Sequence, residues 1–416
     1  MSSQSSPRAP AGRGKPSFAE FVAMMASTMA LQAVAIDAML PALQDIGRTF
    51  SVANDNQLQW VVTAFMMGTG AGQLVFGPLS DRFGRKRVLL LGLSMYAVLS
   101  LLAMFAASLP MLLATRVVQG AVVSAASVVS RSIVRDQFSG STMARVMSTI
   151  YIVFLIVPMV APAVGQAMLL VVSWRGIFGF LGICGLSVSL WLFFRLPETL
   201  PPERRRPLNS AHLAQAAWFV ISEPSSILYT LAVTAMFGSL LAYVSTVPQI
   251  FAGAFHQPQL MAITFACVAG AMGVASYFNT RIVERVGMHR VSHLALTAFL
   301  FVTAAHAAFA LTGREGVLAF AVFQGATMAC MGLSVSNFGT IAMQPMGAIA
   351  GSAASIQGVI STIGAAAIAS LIGQQWSGNV LFLPTGALLC GLFAFACVLL
   401  AERSRMYRGR GAPSQG

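Results

Sequence analysis

The stretch that decides the fold is Gly77-Pro78-Leu79-Ser80-Asp81-Arg82-Phe83-Gly84-Arg85-Lys86-Arg87. It places one acidic and four basic side chains between two apolar runs, near 57–79 and 88–107. Each run has the length of about 20 residues with which an α-helix crosses the hydrocarbon of a bilayer. The charged stretch therefore predicts a short loop that joins two membrane-spanning helices.

Apolar runs of the same kind recur along the whole chain. Gly, Pro and charged residues separate twelve of them, near 18–43, 57–79, 88–107, 110–130, 146–170, 175–196, 225–251, 259–280, 291–311, 316–340, 348–374 and 379–400. Of the 416 residues, 57% are hydrophobic and 9% are charged, whereas soluble proteins carry about 25% charged residues. A water-soluble globular protein is excluded, and the predicted fold class is an all-α membrane protein with 12 transmembrane helices.

The basic residues are concentrated on one side of this predicted bundle. Of the 25 Lys and Arg residues, 21 fall in the tails and loops that share a side with the N-terminus. Short cytoplasmic loops retain Lys and Arg, so both termini are expected in the cytoplasm. The net charge of +13 is spread over short clusters between apolar runs rather than one soluble face, which argues against a nucleic-acid partner.

The two halves of the chain resemble each other at a nearly constant offset of 202 to 207 residues. The matches are Pro41 with Pro248, Asp81-Arg82-Phe83-Gly84 with Glu284-Arg285-Val286-Gly287, Gln119-Gly120-Ala121 with Gln324-Gly325-Ala326, and Trp174 with Trp376. Such an offset indicates a duplicated six-helix unit. The predicted domains are a cytoplasmic N-terminal tail 1–17, a six-helix bundle 18–196, a cytoplasmic linker 197–222, a second six-helix bundle 223–402 and a cytoplasmic C-terminal tail 403–416.

Asp37 is the one acidic residue of the twelve that lies well inside an apolar run. An ionisable group in hydrocarbon costs about 2.5–3.5 kcal/mol on insertion scales and marks a functional position by default. Arg116 has a similar predicted depth, because Asp37 lies eight residues before Asp45 and Arg116 lies eight residues after Ser108, or about 12 Å at 1.5 Å per residue. We therefore expect Asp37 and Arg116 to meet directly or through water and to form a proton-coupling element.

With these residues in view, a family resemblance is evident. The stretch Gly77–Arg87 closely resembles the G-x-L-x-D-R-x-G-R-K signature of the major facilitator superfamily, and the resemblance implies two pseudo-symmetric six-helix bundles. It also implies that the glycines allow a tight turn while Asp81 engages a basic residue and a neighbouring helix N-terminus. The gating motif carried over from the family consists of Gly77, Asp81, Arg82, Gly84, Arg85 and Lys86.

Further stretches resemble the Bcr/CflA group of bacterial multidrug exporters within that superfamily. They include Ile36–Leu43, Arg116–Gly120, Pro197–Arg205, Phe278–Arg281 and Gly351–Ser355. The resemblance implies a drug:proton antiporter with 12 spans in the bacterial cytoplasmic (inner) membrane. Its expected partners are lipophilic small molecules, protons and the lipid bilayer, and a monomer is expected.

The same resemblance assigns roles to individual residues. Asp37 would carry the proton and Arg116 would modulate it. Pro158, Pro162 and Gly165 resemble the Gly/Pro antiporter motif, although Gln166 stands where a second Gly is usual, which puts close packing at that position in doubt. Cavity-lining helices of the family suggest substrate contacts at Gln32, Met39, Gln119, Phe237, Tyr243 and Phe323.

Two other interpretations stay open at this stage. One is a proton-coupled transporter of a defined metabolite such as an amino acid, nucleobase or sugar. The other is a polytopic membrane sensor or membrane-embedded enzyme, which the longest loop, of about 26 residues, does not favour. The sequence contains no Gly-rich P-loop, no nucleophile with an evident base and no His or Cys cluster with metal-ligand spacing. We therefore expect no enzymatic activity, no cofactor and no metal.

Overall fold

A computed structural model describes residues 16–205 and 210–402, and twelve long α-helices account for most of them. They are α1 (Phe18–Asp37), α2 (Trp60–Phe83), α3 (Arg85–Met104), α4 (Leu109–Gln137), α5 (Gly140–Leu169), α6 (Trp174–Arg195), α7 (Pro224–Gln249), α8 (Met261–Val286), α9 (Met288–Ala310), α10 (Val317–Met343), α11 (Ala350–Gly373) and α12 (Phe382–Ala401). Apart from Pro16 and Ser17, the predicted tails 1–17 and 403–416 lie outside the described residues. Each predicted apolar run coincides with one helix, so the all-α fold class is confirmed.

Eleven helical segments of the described chain have the length and hydropathy of a membrane span. The remaining long helix, α5, contains a shorter apolar segment, Ile156–Leu169. Because the number of helices is even, α1 begins and α12 ends on the same face of the bundle. This face is called the terminus face below, and the other is called the opposite face.

The helix pairings repeat between the two halves of the chain. In the first half α1 packs on α5, α2 on α4 and α3 on α6; in the second half α7 packs on α11, α8 on α10 and α9 on α12. Two pairs, α2 with α11 and α5 with α8, join the halves. The duplication inferred from the sequence offset is therefore visible as a repeated packing pattern.

Two glycines in equivalent positions make the tightest helix connections. Gly84 joins α2 to α3 with a φ of 101°, and Gly287 joins α8 to α9 with a φ of 88°. An L-residue with a side chain adopts such positive φ values only with strain. The glycine of the signature stretch is thus required by the backbone, and so is its counterpart in the second half.

The predicted linker contains a helix that sequence patterning did not indicate. This linker helix, Ser210–Ser222, packs its buried Ala216 and Val220 in a small apolar cluster with Ala353 and Ile356 of α11. Its 13 residues are too few for a span of about 20 residues. The linker therefore attaches to the second half instead of passing freely between the halves.

Candidate functional site

Asp37 is the last residue of α1, where the helix gives way to a turn. Pro41 has no backbone N–H, so regular helical bonding cannot continue to the carbonyl of Asp37. The chain bends through the single 3-10 turn Leu40–Ala42, which contacts α7 of the other half. The bend places Asp37 between the two halves.

The Asp37 side chain is isolated from polar partners. The residue is 6% exposed, and its carboxylate forms no hydrogen bond or ion pair with any residue in 16–205 or 210–402. It lies within electrostatic range of Tyr243 in α7. The Tyr243 hydroxyl is buried and also has no hydrogen-bond partner among the described residues. Two buried polar groups without a hydrogen-bond partner among the described residues, one from each half, thus interact electrostatically.

Arg116 is completely buried in α4 and binds other groups. Its guanidinium donates from Nη2 to the Ala35 carbonyl (3.0 Å), from Nη1 to Gln119 Oε1 (2.7 Å) and from Nε to the Val61 carbonyl (3.3 Å). The Cζ atom also lies 4.1 Å from the centre of the Phe65 ring, a cation–π distance. Arg116 therefore connects α1, α2 and α4 without a carboxylate partner.

Asp37 and Arg116 form no direct hydrogen bond or ion pair, so the direct form of the expected contact is wrong, and a contact through water stays a prediction. The prediction rested on the similar depth of the two residues in the membrane. The bend at the end of α1, however, determines which group of α1 faces the Arg116 guanidinium. The Met39 N–H bonds to the Ile36 carbonyl rather than to the Ala35 carbonyl, so the Ala35 oxygen is available to Arg116. Arg116 therefore binds the backbone two residues before Asp37.

The antiporter-motif helix packs on this same bend. A Cβ atom at Gly165 of α5 would overlap the carbonyl of Ala38. Ala38 is the residue directly after Asp37. Pro158 and Pro162 lie inside α5, and Gln166 is half-buried. The structure thus brings Gly165 against the residue that follows Asp37.

The gating motif forms an ion-pair cluster at the terminus face, centred on Arg85. Arg85 Nη1 lies 2.5 Å from Asp81 Oδ1, and its Nε lies 3.0 Å from Asp136 Oδ2 at the end of α4. Nη1 also donates to the Ser80 hydroxyl at 2.7 Å. The Arg85 side chain is 5% exposed. A buried guanidinium shared between two carboxylates ties α2, α3 and α4 together.

A second carboxylate in this region, Glu198 of the linker, caps α3. Its Oε1 accepts from the Arg85 backbone N–H at 2.9 Å and also from the N–H groups of Thr199 and Leu200. An anion is favourable at a helix N-terminus, where backbone N–H groups are unsatisfied. The expectation that Asp81 reaches a helix N-terminus is wrong for the described residues, because Glu198 occupies that role at α3.

The remaining members of the gating motif lie around this cluster. Gly77 belongs to α2 and Gly84 forms the turn. Lys86 Nζ donates to the Phe193 carbonyl of α6 at 2.8 Å, and the Arg82 guanidinium lies 5.1 Å from the Phe83 ring centre. Sequence reasoning missed Asp136 and Glu198 because they lie 51 and 113 residues from Arg85.

The halves are hydrogen-bonded to each other at the opposite face. Gln59 Nε2 donates to Gln249 Oε1 at 2.7 Å and to the Gly373 carbonyl at 2.9 Å. Asn56 Nδ2 donates to the carbonyl of Gln374 at 3.1 Å, and Gln374 Nε2 donates to the carbonyl of Asn56 at 2.9 Å. This set of amides, called the opposite-face latch below, closes one end of the interface between the halves.

The six predicted substrate residues have different surroundings in the structure. Gln119 is fully buried and uses both amide atoms on Arg116 and Ser100, and Phe323 stacks on His306 of α9 at 4.9 Å. Other residues engage these two side chains, which the apolar runs could not predict because they do not fix helix rotation, and their contact with substrate stays a prediction. Gln32 accepts from Ser127, Met39 is buried beside Asp37, Phe237 is half-buried, and Tyr243 stacks on Phe265 at 5.6 Å.

A cleft of about 170 Å³ opens elsewhere, between α7, α10 and α11. Its lining is mostly small and apolar and consists of Thr230, Val233, Gly339, Ala342, Met343, Ala354, Gln357, Gly358 and Ser361. These residues could not be predicted from the sequence. In an apolar run, a small residue that lines a cleft looks the same as one that packs two helices together.

Comparison with known proteins gives consistent matches. A model of the family described as the Major Facilitator Superfamily matches residues 17–369. The chain is 31% identical over 386 residues to the uncharacterized MFS-type transporter YdgK of Bacillus subtilis (strain 168), with 91% of this chain and 93% of the relative covered. It is 32% identical over 262 residues to a bicyclomycin resistance protein homolog of Haemophilus influenzae, covering 63% and 66% of the two chains.

The fold also matches solved structures. The crystal structure of a D-xylose-proton symporter superposes with a TM-score of 0.74 at 13% identity, covering 94% of this chain and 99% of the other. That level of identity supports the shared fold alone. Together with the repeated helix pairing and the signature stretch, these matches show that the chain belongs to the Major Facilitator Superfamily, whose members are multi-pass membrane transporters and not enzymes.

Proposed function

We propose that this transporter exports lipophilic drug-like compounds in exchange for protons. The observation that carries the proposal is Asp37, a buried carboxylate without a polar partner among the described residues, at a bend between the two halves. In such surroundings a carboxylate is expensive in its charged form. A proton, or a cationic or hydrogen-bond-donating group on a lipophilic cargo molecule, relieves this cost, and competition between the two would produce exchange.

The surroundings of Asp37 support a role in alternation. Arg116 fixes the backbone before the carboxylate, Gly165 packs directly after it, and Tyr243 approaches from the other half. A movement of one half against the other changes the distance between Asp37 and Tyr243 while Arg116 stays within the first half. The proton affinity of Asp37 would then differ between the two orientations, which is the requirement for coupling.

The orientation in the membrane follows from the basic residues. Short loops rich in Lys and Arg stay in the cytoplasm, and the Arg85 cluster and Arg-rich linker lie at the terminus face. We infer that this face is cytoplasmic, that the membrane is the bacterial inner membrane, and that the opposite-face latch closes the outer side. The described chain contains both halves of the interface, which is consistent with a monomer.

The cargo class rests on the family and on one relative. The bicyclomycin resistance homolog resembles this chain over about two thirds of its length, and the Bcr/CflA-like stretches fall on the bend at Asp37 and on the linker. The buried residues that follow Asp37 in the chain, Ala38 and Met39, are apolar and offer a polar metabolite no side-chain hydrogen bond. We therefore place apolar drug-like molecules ahead of an amino acid, nucleobase or sugar.

We expect Asp81→Asn to slow transport more than it weakens binding. The substitution removes one of two carboxylates from Arg85 while Asp136 remains, so the cluster that ties α2 to α4 is weakened but not lost. Turnover should fall by about tenfold, the effect of about 1.4 kcal/mol on a barrier. Transport rates in proteoliposomes and drug binding in detergent measure the two quantities, and a weaker affinity at unchanged turnover would contradict a gating role.

Resistance profiling of a pump-deficient bacterial strain tests the proposed function. Expression of this chain should raise the inhibitory concentrations of several unrelated lipophilic compounds, including chloramphenicol-like drugs and dyes. Expression of the Asp37→Asn variant at the same membrane level is the matched control and should give no protection. Protection by neither protein, together with saturable uptake or efflux of one metabolite, would replace drug export by the metabolite interpretation.

A further inference from the structure

Three side chains that commonly bind metals converge at the terminus face of the second half. His289 and His293 belong to α9, and Glu402 follows the last residue of α12. His289 Nδ1 lies 3.1 Å from Glu402 Oε1, and one ligand atom from each of the three residues lies within 4.8 Å of the others. None of these residues belongs to the proton site, the gating motif or the interface between the halves.

Helix geometry explains why the three groups meet. His289 and His293 are four residues apart, so they lie on the same face of α9 one turn from each other. α9 packs along α12, and the end of α12 brings Glu402 to the level of the first turn of α9. The sequence-based expectation of no metal cluster considered local spacing only, and Glu402 lies 113 residues from His289.

The group is enclosed but reachable. His293 is 1% exposed, and the side chains of Glu402 and His289 are 7% and 16% exposed. The Tyr229 hydroxyl of α7 donates to Glu402 Oε1 at 2.7 Å and lies 3.1 Å from His293 Nε2. A hydrogen-bonded ligating carboxylate is typical of metal centres, where outer partners fix the orientation of the ligands. His289 provides the route from solvent.

The donor set selects a class of metal. Two imidazole nitrogens and one carboxylate oxygen suit Zn²⁺ and related transition metals, whereas Mg²⁺ and Ca²⁺ prefer oxygen ligands. Bonds of about 2.0–2.1 Å in a tetrahedral Zn²⁺ site separate neighbouring ligand atoms by about 3.3 Å. The 3.1 Å between His289 and Glu402 is already close to that value, and water can provide a fourth ligand.

We propose that His289, His293 and Glu402 form a binding site for one divalent transition metal of the zinc class, which joins α9 to α12 at the terminus face. Without metal, the same side chains form a hydrogen-bond network through Tyr229. The two states differ in whether α9 and α12 are linked by coordination bonds. The proposal is independent of the transported cargo, because it concerns binding at a site remote from Asp37.

Titration of the purified full-length transporter with Co²⁺ tests the proposal. The protein is prepared without a polyhistidine tag, because such a tag would itself bind Co²⁺. Co²⁺ serves as the probe because nitrogen- and oxygen-ligated Co²⁺ absorbs visible light. We expect one equivalent to bind and one equivalent of Zn²⁺ to displace it. His289→Ala should weaken binding at least about 100-fold, since loss of an outer partner alone costs 10–100-fold.

Two further variants keep the outcome decisive. Glu402→Gln preserves the shape of the side chain and an acceptor for Tyr229, so it should fold, yet it should lose the metal-dependent rise in melting temperature that ligand binding gives the unmodified protein. His256→Ala removes an exposed histidine on the opposite face and should bind Co²⁺ normally. The metal site would be overturned if the unmodified protein did not bind one equivalent of Co²⁺. It would also be overturned if His289→Ala and Glu402→Gln bound Co²⁺ as tightly as the unmodified protein does.

Discussion

Replacement of Asp37 by Asn is expected to abolish proton movement driven by a drug gradient in proteoliposomes. Asn has nearly the same shape as Asp but cannot release a proton, so cargo binding no longer displaces one. Because the carboxylate has no polar partner among the described residues, the substitution breaks no hydrogen bond and removes a group that is costly to bury. We expect unchanged or higher thermal stability together with a loss of coupled transport of at least about 100-fold, equivalent to roughly 2.7 kcal/mol.

The control for this result is a carboxylate whose side chain is exposed to solvent. Asp45→Asn changes an exposed acid on the short helix Leu43–Thr49, where Asp45 pairs only with the exposed Arg48 among the described residues. It should leave transport near its original rate, since exposed ion pairs contribute about 0–1 kcal/mol. Retained drug-driven proton movement in Asp37→Asn, with normal amounts of folded protein, would refute the role of Asp37.

Replacement of Arg116 by Ala is expected to cause the largest loss of stability. It removes the donors to the Ala35 carbonyl, the Val61 carbonyl and Gln119. The Val61 carbonyl keeps its bond within α2, but the Ala35 carbonyl and Gln119 Oε1 lose a donor, and each buried polar group left unsatisfied costs about 1–3 kcal/mol. Thermal inactivation of the detergent-purified protein should show a clear fall in melting temperature, and proton-coupled transport should be lost.

Arg116→Lys separates the effect of charge from the effect of geometry. Lys keeps the positive charge but lacks the planar fork that donates in three directions. If Arg116 acts by holding the bend of α1, Lys cannot restore transport, whereas an influence of charge alone would be rescued. Full stability and full transport in Arg116→Lys would contradict the positional role. Arg48→Lys, at an exposed position, serves as the matched substitution.

The helices could be predicted from the sequence with few errors. Twelve apolar runs coincide with twelve helices, because about 20 consecutive apolar residues have few alternatives to a span. The repeat offset predicted a duplicated six-helix unit. Gly287, the counterpart of Gly84, also adopts a positive φ. The linker helix was missed because its 13 residues lie in a segment with polar and Pro-rich flanks, where apolar length gives no signal.

The candidate site could be predicted in part. Asp37 was recognisable because a carboxylate in an apolar run is rare and costly. The partners of Arg116 were not, since Pro41 bends the chain and changes which carbonyl is available. Gln119 illustrates the same limit: its position on α4 was evident, but its use by Arg116 and Ser100 depends on helix rotation and on contacts with α3.

Residues distant in the chain account for the other omissions. Asp136 and Glu198 complete the Arg85 cluster from α4 and from the linker, and neither carries a local motif that pairs it with Arg85. Glu402 meets His289 for a similar reason. Such contacts depend on the mutual position of helices, which a single sequence does not specify.

Proton release on drug binding is the direct test of whether Asp37 gives up its proton when a drug binds. A weakly buffered solution of the purified transporter with a pH-sensitive dye is mixed with a lipophilic substrate identified by the resistance profile. If Asp37 carries the proton, we expect proton release from the unmodified protein, none from Asp37→Asn, and unchanged release from Asp45→Asn. Equal proton release from Asp37→Asn and the unmodified protein would show that another group carries the proton.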